Sequence, residues 1–173
     1  MCIRDRYQAV QAGAAQGVQT DLSQAPPLLI TEVSTDQASG KRYTYTEVYN
    51  NSDAAINFSD YVFYYCYESG MGSGKVFDSS SWGSEGKDVY IQPGKTLVLW
   101  QSEGTKGRTV TDFNNFYGTE LVENQDIVRI PYSGIHASAK RGYFFGKNED
   151  SVVISAWSNE HGDEIAAGNP NTR

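Results

Sequence analysis

The sequence predicts an all-β domain, a sandwich or a barrel, and three observations lead to that class. The chain of 173 residues contains twelve tyrosines, and aromatic residues make up 13% of it. Tyr, Val and Thr favour the half-buried surface of a strand, whereas Gly, Ser and Pro mark turns. Short runs of strand-forming residues alternate with such turn signals along most of the chain, a spacing typical of sandwiches and barrels. The length fits one domain.

The predicted strands are short apolar or aromatic runs bounded by Pro, Gly, Ser, Asn or Asp. They lie at residues 28–33, 43–49, 55–58, 61–67, 89–91, 96–100, 127–130, 142–145, 151–157 and 164–165. Between two of them, Gln92-Pro93-Gly94-Lys95 has proline and glycine at the central positions, which is the signature of a type II turn.

One short helix is predicted after the strand at 96–100. Thr111 or Asp112 provides its N-cap, and Gly118 ends it. Phe113, Phe116 and Tyr117 fall on one side of it. Since the helix has barely two turns, packing rather than its own propensity has to hold it.

The net charge of −7 bears on the class of partner. An acidic surface repels phosphate backbones and lacks the Lys/Arg patch that binds nucleic acid, so nucleic acid is disfavoured as a partner. Acidity also keeps secreted proteins soluble. No apolar run reaches the length of about 18 residues that a membrane span requires.

The first residues lie outside the predicted fold. Met1 to Arg6 have no periodicity and look like a translated sequencing-adapter peptide, so we expect an artificial start and a longer parent protein. Tyr7 to Pro27 is rich in Ala, Gln and Gly. It is either a linker or the tail of a signal peptide cleaved near Ala12-Gly13-Ala14. With Cys2 in this leader, Cys66 has no expected disulfide partner.

The run Tyr61 to Tyr67 is apolar on both faces, so it is either a central strand or a strand covered on its outer side. The Gly/Ser-rich excursion at 69–88, which carries Phe77 and Trp82, is one source of that cover. Alternatively, the outer aromatics are exposed as a platform that binds sugar or protein. Tyr64, Phe77 and Trp82 are therefore the candidate partner surface.

Four segments, taken in order, resemble the lamin tail domain, an immunoglobulin-like β-sandwich. They are the opening strand at 29–33, the segment Thr46-Glu47-Val48-Tyr49-Asn50-Asn51-Ser52-Asp53, the Pro-Gly turn with its apolar strand at 91–99, and Asp112-Phe113-Asn114-Asn115-Phe116-Tyr117-Gly118-Thr119. Tyr61 stands where these domains often have Trp.

The resemblance implies an immunoglobulin-like sandwich with one short helix over residues 28–168. Residues 1–27 are then a leader, and 169–173 begin a linker. It further implies a non-catalytic accessory module that mediates interaction or anchoring in a larger, extracellular bacterial protein, beside a phosphoesterase or nuclease domain. Its partner is expected to be a protein or a cell-surface glycan.

Glu47, Asn50, Pro93 and Gly94 carry the family motif. Glu47 and Asn50 are either ligand contacts or structural residues, and the structural interpretation is favoured. In that interpretation Asn50 starts an Asx turn, and Glu47 pairs with a neighbouring strand or a basic side chain. Pro93 and Gly94 serve the backbone.

The residues suited to catalysis or metal binding form no recognisable site. His136 and His161 are the only histidines, and neither has a metal-site spacing or a triad partner motif. The loop Gly70 to Lys75 fails the phosphate-loop pattern. Glu149 and Asp150 are adjacent on a turn and cannot flank a substrate. We therefore predict no enzyme activity, no metal site and no cofactor.

Overall fold

The computed structural model describes residues 26–35, 42–67, 74–77, 88–101, 107–132, 134–135, 141–147 and 155–158. In this part of the chain the strands are β1 Leu28–Ser34, β2 Tyr45–Asn50, β3 Ile56–Asn57, β4 Tyr61–Tyr67, β5 Gly74–Phe77, β6 Tyr90–Ile91, β7 Thr96–Gln101, β8 Ile127–Ile130, β9 Arg141–Lys147 and β10 Ser155–Ser158. One α-helix, α1, covers Val110–Tyr117, and a 3-10 turn, Phe58–Asp60, leads into β4.

The strands form two four-stranded sheets and one small ribbon. The first sheet has the order β1-β2-β7-β8, the second has the order β10-β9-β4-β5, and β3 pairs with β6. All pairings between these strands are antiparallel except β7–β8, which is parallel. A parallel pair needs a crossover connection, and the segment that carries α1 supplies it. The all-β, immunoglobulin-like sandwich with one short helix is confirmed.

The main core lies between the two large sheets. Residues that alternate along β2 and β7, such as Val48, Leu97 and Leu99, point to it from the first sheet. Phe63 and Tyr65 of β4 meet them from the second sheet. This alternation follows from the two-residue period of a strand. Tyr61, at the position of the family's Trp, is buried in the same core and stacks on Phe58.

A second apolar cluster covers the outer face of the first sheet. Val98 and Trp100 of β7 and Ile127 of β8 point away from the main core and pack under Val110 and Phe113 of α1. The β2–β7 pair is thus covered on both faces, which explains why β7 reads as a continuous apolar run.

The ends of α1 differ in part from the prediction. The N-cap is Thr109, not Thr111 or Asp112. Asp112 lies inside the first turn, where its carboxylate accepts hydrogen bonds from the backbone N–H and the hydroxyl of Thr109 at 2.7 and 3.0 Å. This bond from the N3 carboxylate back to the N-cap is one of the two bonds of a capping box, and the Thr-x-x-Asp spacing in the sequence is typical of that motif. Gly118 ends the helix in the left-handed conformation, as predicted.

The excursion at 69–88 is not wholly a loop, because β5 lies inside it and pairs with β4. The sequence pattern did not indicate this strand, because the segment around it is rich in glycine and serine, which are typical of loops. The strand β4 has the predicted bounds and is central, between β5 and β9. The predicted strand at 164–165 and the first part of the one at 151–157 lie outside the described residues.

Two threonines of the main core form a matched test of buried hydrogen bonding. Both are fully buried. Among the described residues the hydroxyl of Thr46 has no hydrogen-bond partner, whereas the hydroxyl of Thr44 donates to the carbonyl oxygen of Gln101 and accepts from the N–H of Ile135. Thr46→Val keeps the shape and removes an unsatisfied polar group, so we expect about 1 kcal/mol of added stability.

Thr44→Val is the matched control and should lower the free energy of unfolding by about 1–3 kcal/mol, since it leaves the Ile135 N–H without its acceptor. Urea unfolding of the three proteins measures both changes. The interpretation fails if the two valine variants shift the unfolding midpoint in the same direction.

Candidate interaction surface and family motif

Asn50 lies at the end of β2 and joins three parts of the backbone. Its side chain is fully buried, and its Nδ2 donates to the carbonyl oxygens of Ala54 and Ile91, both at 2.8 Å. Its Oδ1 accepts from the backbone N–H and the hydroxyl of Ser52, at 2.9 and 2.7 Å. The bond to the N–H two residues ahead is an Asx turn. Both amide protons and the carbonyl oxygen are therefore used inside the protein.

The Pro93-Gly94 turn is tied to the same asparagine through the backbone. Within the turn, the N–H of Lys95 donates to the oxygen of Gln92 at 3.0 Å, and Gly94 has φ of +68°. A positive φ at the third position is what a type II turn requires. The N–H of Gly94 donates to the oxygen of Asn50, whose own N–H donates to the oxygen of Lys95. The motif residues Asn50, Pro93 and Gly94 thus meet in one hydrogen-bonded corner.

Glu47 lies in the middle of β2, on the outer face of the first sheet, and is only 3% exposed. Its Oε1 accepts a hydrogen bond of 2.6 Å from the hydroxyl of Thr31 on the neighbouring strand β1. Burial, the strongest influence, raises the pKa of Glu47, and the Thr31 hydrogen bond opposes that change. No basic side chain bonds to Glu47 among the residues that the structure describes.

Of the three candidate platform residues, the structure describes the side chain of Tyr64 alone. Tyr64 is only 7% exposed, so little of its ring is open to a ligand. It lies on β4, the strand between β5 and β9. Phe77 is the last residue of β5 and pairs in register with Phe63, while its side chain lies outside the described part. Trp82 also lies outside the described residues.

Among the described residues, the exposed aromatic side chains lie elsewhere, at Tyr90 of β6 and Phe116 of α1. Phe116 is 44% exposed although the sequence placed it with Phe113 on one side of the helix. Its ring stacks on Tyr43 at a centroid distance of 4.3 Å, and Tyr43 stacks on buried Trp100 at 5.8 Å. Helical periodicity shows which side of the helix a residue lies on. It does not show how far the sheet extends under that side, and so it grouped Phe116 with the packing residues.

The described residues offer no machinery for metal binding. Within them, no three His, Cys, Asp or Glu side chains are close enough to hold a metal ion. The helix in the described ranges is also too short and too polar to cross a membrane.

The corner at Asn50, the two-sided cover of β2 and β7, and the sandwich itself define an immunoglobulin-like module built around structural polar residues. The family model of the lamin tail domain matches residues 22–167, and the chain belongs to that family. The lamin tail domain is a non-enzymatic immunoglobulin-like domain, so this module is non-catalytic.

A bacterial relative shows the setting in which such a module occurs. The chain is 33% identical over 152 residues to the "Uncharacterized protein YvnB" of Bacillus subtilis (strain 168). The match covers 84% of this chain and 11% of that protein. The similarity therefore concerns one small part of a much longer polypeptide.

The Asn50 corner gives a direct mutational prediction. Asn50→Ala removes two donors and an acceptor from the backbone of Ala54, Ile91 and Ser52. A buried group left unsatisfied, as the carbonyl oxygen of Ile91 would be, costs about 1–3 kcal/mol. We expect the free energy of unfolding to fall by about 2–4 kcal/mol. Asn51→Ala is the matched control, because Asn51 is joined to Pro27 by its backbone N–H, which alanine retains.

Chemical unfolding monitored by tryptophan fluorescence measures both variants. Equal losses for Asn50→Ala and Asn51→Ala would show that the Asn50 side chain does not hold this corner.

Proposed function

We propose that this module mediates interaction or anchoring within a larger, extracellular bacterial protein that also carries a catalytic domain, of phosphoesterase or nuclease type. Two findings carry the proposal. The chain belongs to a domain family without enzyme activity, and it matches only 11% of a long bacterial relative. A small non-catalytic domain in a long chain acts through its contacts with other molecules or other domains.

The location outside the cytoplasm is part of the proposal and has two supports. The chain is acidic, with a net charge of −7, which favours solubility of secreted proteins. The small-residue segment Ala12-Gly13-Ala14 has the form of a signal-peptide cleavage site. The partner is a protein or a cell-surface glycan, recognised through surface contacts.

The first experiment concerns chemistry and uses the purified 173-residue chain. We expect no turnover of phosphodiester substrates, with or without added divalent cations, because a lamin tail domain brings no catalytic residues. An assay with a chromogenic phosphodiester measures this. Turnover that co-purifies with the chain through successive columns would contradict the non-catalytic assignment.

The second experiment concerns location and anchoring and uses the complete parent protein in its bacterial host. Deletion of the module should leave the catalytic activity of the parent intact and shift it from the cell-surface fraction to the medium. A variant that destabilises the module alone, Asn50→Ala, should shift it in part. Retention of the deleted protein at the surface would contradict an anchoring role.

The carbohydrate-binding alternative predicts retention by glycans through Tyr64 and Trp82. Because Tyr64 is buried, we expect no retardation of the chain in glycan-affinity electrophoresis against a set of polysaccharides. Retardation that is abolished in Trp82→Ala would instead support the alternative. Phe116→Ala is the matched control, because it removes the aromatic ring exposed on α1.

A further inference from the structure

The pairing of β1 with β2 contains an irregularity that faces Glu47. Ile30 pairs with Val48, but the next partner of β2, Glu47, pairs with Glu32, so that Thr31 is an extra residue in β1. A β-bulge of this kind sets two residues of one strand against a single residue of its neighbour. Here the two residues are Thr31 and Glu32, and the single residue is a buried carboxyl.

The bulge brings one hydroxyl and one carboxyl to Glu47. The Thr31 hydroxyl donates to Oε1 of Glu47 at 2.6 Å, and Thr96 of β7 also hydrogen-bonds to the Glu47 carboxyl. Glu32 is the register partner of Glu47 on the neighbouring strand. Like charges opposite each other on adjacent strands destabilise a sheet.

No countercharge faces Glu47 from the described residues of the elements packed around it. Across β2, its partner on β7 is Val98, and Ile127 follows on β8. On its own strand the titratable neighbours on the same face are Tyr45 and Tyr49. The phenol of Tyr45 hydrogen-bonds to Glu32, and the next phenol along is Tyr117 of α1. Together with Glu32, these are the titratable groups around the carboxyl.

The guanidinium that β8 contributes to the first sheet is engaged elsewhere. Arg129 of β8 donates to the Glu123 carboxylate at 2.6 Å and to the carbonyl oxygen of Arg108 at 2.9 Å. Glu47 is therefore a buried carboxyl that hydroxyl groups and a second carboxyl surround.

We propose that the Glu32–Glu47 contact makes the β1–β2 pairing responsive to pH: a proton on Glu47 stabilises the pairing, and its loss weakens the attachment of β1. Because β1 is an edge strand of its sheet, it is able to loosen while β2, β7 and β8 stay paired. The device acts within the module and does not depend on the proposed anchoring function.

The direction of the pH effect follows from burial. Burial first, and then the charge of Glu32, raise the pKa of Glu47, while the hydrogen bonds from Thr31 and Thr96 lower it, with a net increase. A carboxyl that binds its proton more tightly in the folded protein favours folding at low pH. Its contribution is complete below the ordinary pKa of about 4.5 and is lost as the pH rises through the folded value.

Glu47→Gln mimics the protonated side chain and tests the proposal. In thermal unfolding of the 173-residue chain, its melting temperature should exceed that of the wild type by about 2–4 °C near pH 7.5. The difference should vanish near about pH 4, where the wild-type carboxyl holds its own proton. Glu120→Gln, which neutralises an exposed acid outside the first sheet, is the matched control and should show no such pH-dependent difference.

Amide hydrogen exchange locates the effect. After correction for the intrinsic pH dependence, the amides of β1 should lose protection in the wild type as the pH rises, relative to those of β8. In Glu47→Gln the β1 amides should keep the protection that the wild type shows at low pH. A merely local packing role of Glu47 would not produce a pH-dependent difference confined to β1.

The proposal is overturned if the melting temperature of Glu47→Gln stays at a constant offset from the wild type across the pH range. Should Glu47→Gln fail to fold, Glu32→Gln replaces it, because it removes the opposing charge and leaves the buried carboxyl in place. A higher melting temperature of Glu32→Gln near pH 7.5 then supports the proposal, and an unchanged or lower one overturns it.

Discussion

The cover on both faces of the β2–β7 pair is the constraint on which the rest of this module depends. On one face, Val48, Leu97 and Leu99 meet the second sheet in the main core. On the other, Val98 and Trp100 lie under α1. A strand that is buried on both sides cannot leave polar groups unpaired without cost, so partners inside the protein stabilise polar residues at this level. The hydrogen bonds of Asn50 and the Thr31–Glu47 hydrogen bond are two sets of such internal partners. The hydroxyl of Thr46, which has no partner among the described residues, is an exception.

The motif residues of the family owe their chemistry to the same constraint. At the end of the buried strand, the side chain of Asn50 donates the hydrogen bonds that water would otherwise donate to the carbonyl oxygens of Ala54 and Ile91. Gly94 permits the positive φ that turns the chain back beside it. Within the described residues, the hydrogen bonds of Asn50 and the conformation of Gly94 serve the geometry of the backbone.

Much of this fold could be predicted from the sequence, because burial on one or both faces leaves a pattern in the strands. The bounds of β4 and β8 follow directly from their apolar runs. The strand β5 could not be predicted, since its pairing with β4 is decided by backbone hydrogen bonds in a glycine-rich segment. The bulge at Thr31 was also hidden, because a register shift depends on the partner strand and not on the residue itself.

The candidate site also could be predicted from the sequence only in part. The motif residues were recognisable from their order and spacing, but the burial of Tyr64 and the exposure of Phe116 depend on which neighbours the tertiary fold supplies. Thr109 as the N-cap illustrates the intermediate case. Its spacing to Asp112 is a capping-box pattern in the sequence, yet the neighbouring Thr111 is of the same residue type, and the start of the packed face distinguishes the two.

The parallel pairing of β7 with β8 has a consequence for the order in which the chain assembles. The unit β7–α1–β8 is continuous in sequence and contains its own apolar cluster, so its contacts close over short loops. The second sheet instead joins β4 to β9 across residues 68–140, a pairing with a loop-closure cost that is larger by about 1 kcal/mol. Non-local strand pairing slows folding. The sheet that carries the family motif is therefore expected to nucleate first, and the other sheet to close over it as the late, rate-limiting event.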